Sequence, residues 1–349
     1  MRTSYSEQDV TMLLKDITGM VEPLDNAERE RRIQSGVHYS EMLPKESLPS
    51  EVYKRTFLAA LENYAAPTAK ATECIAERIL AEKGRDVVLV SLARAGTPIG
   101  ILIRRYLRQF HGIDAPHYTI SIIRGRGIDQ NAMRYLLDRY KPSQLQFIDG
   151  WTGKGAIRNQ LREAMQDFPG VDDRVAVLSD PAGVTELCGT HQDFLIPSSC
   201  LNSTVSGLIS RTFCRSDIIG KDDFHGAMYY EEYTSADMSN LFLEAVEAQF
   251  GCDYIFPEEE VSDRSPLGEV QEIARHFSIK DINFVKPGIG ETTRVLLRRI
   301  PWKILVHSLD DTAFLGHIYQ LAAEKQIELT VYPFRHYRAC GLIRNLADT

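Results

Sequence analysis

The sequence predicts an α/β protein: a parallel sheet covered by helices, with an irregular hood and a smaller α/β domain behind it. Three observations carry this. Apolar, β-branched runs alternate with helix-like segments between Asp86 and Asp180, the pattern of a parallel sheet. After Pro181 the alternation dissolves into a stretch rich in Ser, Thr, Gly and Asn. Past the acidic, proline-bearing PEEEVSDRSPLG (257–268), a second strand–helix pattern runs for about eighty residues, enough for a separate domain.

The elements follow in order. Residues 1–49 are polar and mixed, with a weak helical pattern near VTMLLKDITGM, and form an extension that packs on the first domain. EVYKRTFLAALENYA reads as a helix, and a second helix after Pro67 ends at Gly84. DVVLVSLA (86–93) is a strand buried on both faces, and TPIGILIRRYLRQFHG is a helix. APHYTISII (115–123) is a strand, RGRGID a loop, NAMRYLLDRY a helix, QLQFID a strand, AIRNQLREAMQDF a helix and RVAVLSD (174–180) a strand. The first domain spans 50–256, with a hood-like insertion at 181–234 and a helix at 235–250. The linker is 257–268, and 269–349 form the small domain: GEVQEIARHF, INFVKPG, TTRVLLRRI, WKILVHS, TAFLGHIYQLAAEK and IELTVYP.

Composition narrows the class. The chain has 44% hydrophobic and 25% charged residues, as ordinary globular proteins do. No apolar run reaches the roughly 20 residues that span a bilayer, and no signal peptide stands at the start, so a cytoplasmic protein without a membrane partner is expected. Six cysteines lie scattered without a CxxC pair, which speaks against both a zinc site and a disulfide scaffold. The net charge of −8 is uneven: residues from Ser265 onward carry +2.

Ligands of parallel sheets bind at the carboxyl ends of strands, so three strand-end loops are the candidate site. ARAGT places Arg94, Ala95, Gly96 and Thr97 at a helix N-terminus, where backbone N–H groups attract anions. RGRGID brings Arg124, Arg126 and Asp129 on a mobile glycine loop that can close on a phosphate. DGWTGKG offers Asp149 for sugar hydroxyls, and Gly150, Thr152, Gly153, Lys154 and Gly155 for phosphate oxygens. Each is a weak signal alone; together they point to a phosphate-bearing ligand. The P-loop spacing and the dinucleotide fingerprint are both absent.

FIDGWTGKGAI resembles the phosphoribosyl-pyrophosphate loop of type I phosphoribosyltransferases, with Asp149 on the first acid and Gly150 replacing the second. ARAGT is similar to that family's pyrophosphate loop and RGRGID to its flexible loop. VSLARAGTPIG, RGRGID, DGWTGKG, HYSEMLP (38–44) and IPSSCLNSTVSGLISRT together resemble a bacterial family linked with tellurium-resistance (Ter) stress operons, described as a phosphoribosyltransferase and also labelled cysteine protease StiP. VKPGIGETTRVLLRRIPWKILVHSLDD, with LAAEKQIELTVYPFRHYRACGLIR, resembles a Pelota-type RNA-binding domain, whose turn and helix here carry Lys286, Gly288, Glu291, Arg294, Arg298 and Arg299.

The resemblance implies an enzyme using Mg²⁺ and phosphoribosyl pyrophosphate. Arg94 and the 95–97 backbone hold pyrophosphate, Arg124 or Arg126 close on it, Asp149 orients ribose and Thr152–Gly155 grip the 5-phosphate. An unidentified base is the acceptor, under a hood bearing Asn202, Ser203, Thr204 and Ser206, and a homodimer is expected. It also implies structured RNA as a partner of the small domain. Two other readings stand beside it. One is a cysteine protease using Cys200, with Cys188, His191, Asp193 and His225 nearby in sequence. The other is a non-catalytic sensor of nucleotide and RNA.

Overall fold

A computed structural model describes residues 1–257, 266–299 and 301–343; the side chains of Asn26, Glu30, Pro266 and Arg298 lie outside the description. Six parallel strands form the main sheet in the spatial order Thr11–Met12, His117–Ile120, Val88–Leu92, Leu145–Ile148, Val175–Ser179, Cys188–Thr190. Val88–Leu92, Leu145–Ile148 and Val175–Ser179 are buried along their whole length, which is why each reads as a mostly apolar run without polar alternation. The chain runs from Val88–Leu92 to one neighbour, His117–Ile120, and then crosses to the other, Leu145–Ile148. That reversal leaves a crevice at their carboxyl ends. Helix Gly96–His111 starts inside it, so close that a Cβ on Gly96 would lie 2.3 Å from the carbonyl oxygen of Ile148.

Three expectations fail for identifiable reasons. The segment expected to be helical near VTMLLKDITGM forms two short strands. Thr11–Met12 adds to the edge at His117–Ile120, and Lys15–Asp16 pairs with Gly226–Ala227 of the hood. An open sheet edge offers the backbone partners that outweigh a weak amphipathic pattern. Pro67 does not divide two helices; Glu51–Lys83 is one helix of 33 residues, capped by Gly84 at φ 72°. Its residues on both sides of Pro67 are buried, and it packs on helix Gly96–His111 and strand Cys188–Thr190, outweighing the roughly 3 kcal/mol that an interior proline costs. The approach is tight: a Cβ on Gly189 would lie 2.3 Å from the carbonyl oxygen of Ala71.

The third miss is in the C-terminal region. Its four-stranded sheet has the order Val285–Pro287, Ala339–Ile343, Pro301–Val306, Leu329–Val331. Ala339–Ile343, not anticipated, is a central strand antiparallel to both neighbours. Its Gly341 leaves room for Val295 of helix Ile289–Arg298, and a short run broken by glycine carries little strand signal. Of the expected linker, 258–265 lie outside the described residues and Pro266–His276 is already a helix. The stretch 181–234 is largely irregular, with short helical turns at Pro197–Cys200 and Ser203–Val205. Among the described residues no helix is long and apolar enough to cross a membrane.

Candidate active site at the sheet edge

The loops expected to bind phosphate lie at the crevice, but their donors are spent within the chain. Arg94 turns into the hood: Nη1 donates to Glu46 Oε1 and to the Ile209 carbonyl, both at 2.8 Å, and Nη2 to Asn202 Oδ1 at 3.1 Å. Glu46 accepts from the Ser203 amide at 3.1 Å with its other oxygen, so Arg94 is a strut between loop and hood. Ala95 starts helix Gly96–His111 without a side-chain cap. Thr97 is buried and accepts from Thr119 Oγ1 at 3.1 Å. In the next loop Arg126 pairs with Glu41 and donates to the Cys214 carbonyl at 3.1 Å, while exposed Arg124 reaches Asn283 Oδ1 at 3.5 Å. Asp129 is the N-cap of helix Gln130–Leu137, accepting from the amides of Asn131 and Ala132 at 3.0 Å, and its other oxygen takes the His225 amide at 2.5 Å.

DGWTGKG is covered by the C-terminal region. Lys154 Nζ donates to the carbonyls of Ile282 at 2.7 Å and Val285 at 3.2 Å, and burial pulls its pKa down to about 8. The Gly153 carbonyl accepts from the Tyr337 hydroxyl at 2.8 Å. Asp149 accepts from its neighbour, the Gly150 amide, at 2.8 Å, and burial pushes its carboxyl up to about 6. Thr152 donates to Asp180. Gly155, at φ 77°, opens helix Ala156–Ala164.

Of the residues expected to read RNA, Gly288 and Arg294 stand at the same junction. Gly288, at φ 91°, opens helix Ile289–Arg298, and Asp193 of the hood fills its N-terminus. One Asp193 oxygen accepts from the Ile289 amide and the other from the Arg338 amide, each at 2.8 Å. Lys286 is half-buried, and burial lowers its pKa. Arg294 pairs with Glu291 at 3.2 Å and lies over the Trp151 ring at 4.8 Å. Arg298 ends the helix, its side chain outside the described residues, and Arg299 is exposed.

The cysteines give a different picture. None of the six is in a disulfide. Cys200 is fully buried in the core, and the partners considered for it lie elsewhere: His225 Nδ1 meets Ser121 Oγ at 2.8 Å and Asp193 caps a helix. His191 meets Cys188 instead, with Nε2 3.5 Å from Sγ. Pairing of Val177 with Cys188 and of Ser179 with Thr190 sets Asp180 beside them. His191 Nδ1 lies 2.9 Å from the Asp180 carbonyl oxygen and 3.7 Å from its carboxylate. A carbonyl can only accept, so Nδ1 donates to it, and Cys188 Sγ lies beside the ring, 3.5 Å from Nε2 and 3.8 Å from Nδ1. Asp180 is fully buried, its carboxylate held by Thr152 and by the amides of Val184 at 3.2 Å and Thr185 at 2.9 Å. A thiol, an imidazole and a group that anchors the imidazole are thus neighbours.

The C-G-T-H spacing of residues 188–191 is the sequence signal for this pair, where the protease reading takes Cys200 as the nucleophile. Thiol, imidazole and carboxylate donor atoms all lie within 4.8 Å of one another, but the sulfur lies beside the ring and Nδ1 is committed to the Asp180 carbonyl, so the three do not converge on one metal ion. A cleft lined by Trp151, Thr152, Ser179, Asp193, Phe194 and Gly290 runs beside Asp180 at the junction with the C-terminal region.

Comparison with known proteins identifies the family. Residues 264–345 match the PELOTA RNA binding domain, and no solved structure matches the chain. The chain is 34% identical to a protein of Acinetobacter baylyi named Cysteine protease StiP, over 98% of this chain and 94% of that protein. Residues 3–247 match the family described as Tellurite-like stress resistance cysteine protease StiP. These matches overturn the expectation of a phosphoribosyltransferase that uses Mg²⁺ and phosphoribosyl pyrophosphate. The physical counterpart is that Arg94, Arg126, Asp129 and Lys154 are already paired within the protein. The chain belongs to the StiP family of tellurite-like stress resistance cysteine proteases.

Proposed function

We propose that the chain is a thiol hydrolase of the peptidase type, with Cys188 as nucleophile, His191 as general base and Asp180 as the residue that orients it. The observation that carries this is the closeness of Cys188 Sγ to the His191 ring, 3.5 Å from Nε2 and 3.8 Å from Nδ1, with Nδ1 anchored on the Asp180 carbonyl; a turn of the ring aims Nε2 at the sulfur. His191 takes the thiol proton, and the thiolate attacks the carbonyl carbon of an amide. The C–S bond forms, the C–N bond breaks, and His191 returns the proton to the departing amine. Water, deprotonated by His191, then attacks the thioester; the C–S bond breaks and the thiol is restored as the acid leaves. Cys188 is buried while His191 is partly exposed, so substrate enters from the His191 side and the edge strand must yield to admit it.

Fold and activity are separate matters. The strand order around the crevice supports a type I phosphoribosyltransferase-like sheet as the scaffold, with the thiol at its edge. For the division of the chain we retain an extension at 1–49, a first domain at 50–256, a linker at 257–268 and an RNA-binding domain at 269–349. In the last, Lys286, Gly288, Arg294 and Arg298 contact the RNA backbone, supported by the Pelota match. Because Asp193 and Trp151 cover two of these positions, RNA binding requires undocking.

The test is alkylation of the full chain by a limiting amount of iodoacetamide, mapped by mass spectrometry, beside hydrolysis of a peptide library. Preferential labelling of Cys188, slowed at least tenfold in His191→Ala, together with cleavage lost in Cys188→Ser, is the expected result. Equal labelling of several cysteines, with cleavage retained in Cys188→Ser, sinks the proposal.

A further inference from the structure

We propose that RNA first lands on the docked protein along the seam of its two regions, where Arg124 of the first and Lys286 and Arg299 of the second take phosphates of one backbone. This rests on the RNA reading above and concerns the step before Gly288 and Arg294 are uncovered.

Arg124 stands on a built turn. Ile122 pairs with Ile128 and Ile123 with Gly127, while Gly125 and Gly127 take φ of 81° and 85°, where a side chain would be strained. The Gly125 amide donates to Gln160 Oε1 at 2.6 Å, which ties the tip to helix Ala156–Ala164. The two arginines of the turn then part. Arg126 pairs with Glu41, and Arg124 stays exposed and reaches across the seam to Asn283.

Asn283 lies in the turn Ile282–Phe284, which leads into strand Val285–Pro287. Val285 and Pro287 are buried and Lys286 between them is not, so alternation turns the lysine away from the core. Lys154 comes in under the same turn, on the carbonyls of Ile282 and Val285. Arg299, just past helix Ile289–Arg298, is exposed.

These charges do not cancel. Among the described residues no carboxylate pairs with Arg124, Lys154, Lys286 or Arg299. Glu291 lies among them but pairs with Arg294, and Asp281 accepts from the Asn283 amide at 2.8 Å. Burial lowers the Lys286 pKa, and Arg124 and Arg299 push it down against Glu291 and Asp281. Burial also lowers Lys154, followed by Lys286 and Arg124. The cations therefore feel one another, and gathering them costs free energy that a polyanion returns. The whole chain carries −8, so the seam is a local feature and not a generally basic surface.

RNA suits the seam better than a small anion does. Arg124 and Arg299 are exposed and come from different regions, so the cations are spread along an open surface. A chain of phosphates can meet such donors one by one. The Pelota match includes Lys286 and Arg299, and Arg124 adds a cation from outside it.

The experiment follows association of a fluorescent kink-forming RNA with the full chain by stopped-flow anisotropy at several salt concentrations. Arg124→Ala should slow association about threefold or more at low salt and make the salt dependence shallower. Lys286→Ala should do the same, and Arg124→Lys should keep most of the wild-type rate. Arg108→Ala, which removes an exposed arginine at the far end of helix Gly96–His111, should match wild type. Far-UV circular dichroism selects variants that remain folded. If RNA meets only the undocked domain, loss of Arg124 loosens the junction, and association is unchanged or faster. That result beside a slowed Lys286→Ala overturns the seam and leaves the RNA reading standing; no binding by wild type overturns both. Inorganic pyrophosphate tests a small-anion pocket. It should slow RNA only as its ionic strength does, and saturable competition that disappears in Arg124→Ala overturns the seam.

Discussion

Two glycine turns meet at the junction of the two regions: DGWTGKG in the first and VKPGIG in the second. Each follows a strand, opens a helix at a positive-φ glycine and looks by composition like a cradle for phosphate. Their occupants differ. The helix opened by Gly288 receives an anion, the Asp193 carboxylate, at its first amide. The turn ending at Gly155 instead gives its cation away, because Lys154 is taken by two carbonyls beneath the other turn. Groups suited to an external phosphate are equally suited to a neighbouring domain, and composition cannot say which partner holds them.

Substitutions can break this pairing from either side. Asp193→Ala has the largest effect, because it strands the buried amide of Ile289 and leaves that of Arg338 without its acceptor. A loss of about 2–4 kcal/mol is expected by denaturant unfolding, with faster proteolysis near 257–268. The same variant should bind a kink-forming RNA more tightly in a filter assay, since the helix N-terminus is vacated. If RNA affinity is unchanged, the anion site of the second turn is not where RNA binds.

Asp149 sharpens the comparison by pH. Burial raises its folded pKa to about 6, above the ordinary value of 3.8, so the folded state holds this proton more tightly. Its contribution therefore falls as pH rises from about 4 through 6. Asp149→Asn should match wild type near pH 4 and be more stable by about 1–3 kcal/mol at pH 7. Parallel stability–pH curves for the two proteins would show that Asp149 is not desolvated. Lys154→Met should cost about 1–2 kcal/mol, for two lost hydrogen bonds to carbonyls. Trp151→Leu should cost least at the charge contact, about 0.5–1 kcal/mol in a double-mutant cycle with Arg294→Met.

Much of the scaffold was legible because burial on both faces writes itself as short runs dominated by Val and Leu. Val88–Leu92 and Val175–Ser179 are of this kind. Ala339–Ile343 was not legible, since its place between two strands depends on partners 33 and more residues away. Pro67 misled because the packing that holds its helix together is tertiary. At the site, Cys188 and His191 are three residues apart and could be seen together. Asp180 could not, because strand register rather than spacing puts it beside them.

Asp193 stands two residues from His191, and Gln192 between them accepts from Arg338 at 2.9 Å. The short peptide that latches the two regions is thus the same peptide that carries the imidazole. Anything that pries the latch open pulls on the chemistry, and anything that stiffens the chemistry holds the latch. Such linkage is reciprocal: the factor by which RNA alters the affinity for a ligand at the thiol must equal the factor by which that ligand alters RNA affinity. One stretch of backbone would make two distant events a single thermodynamic account.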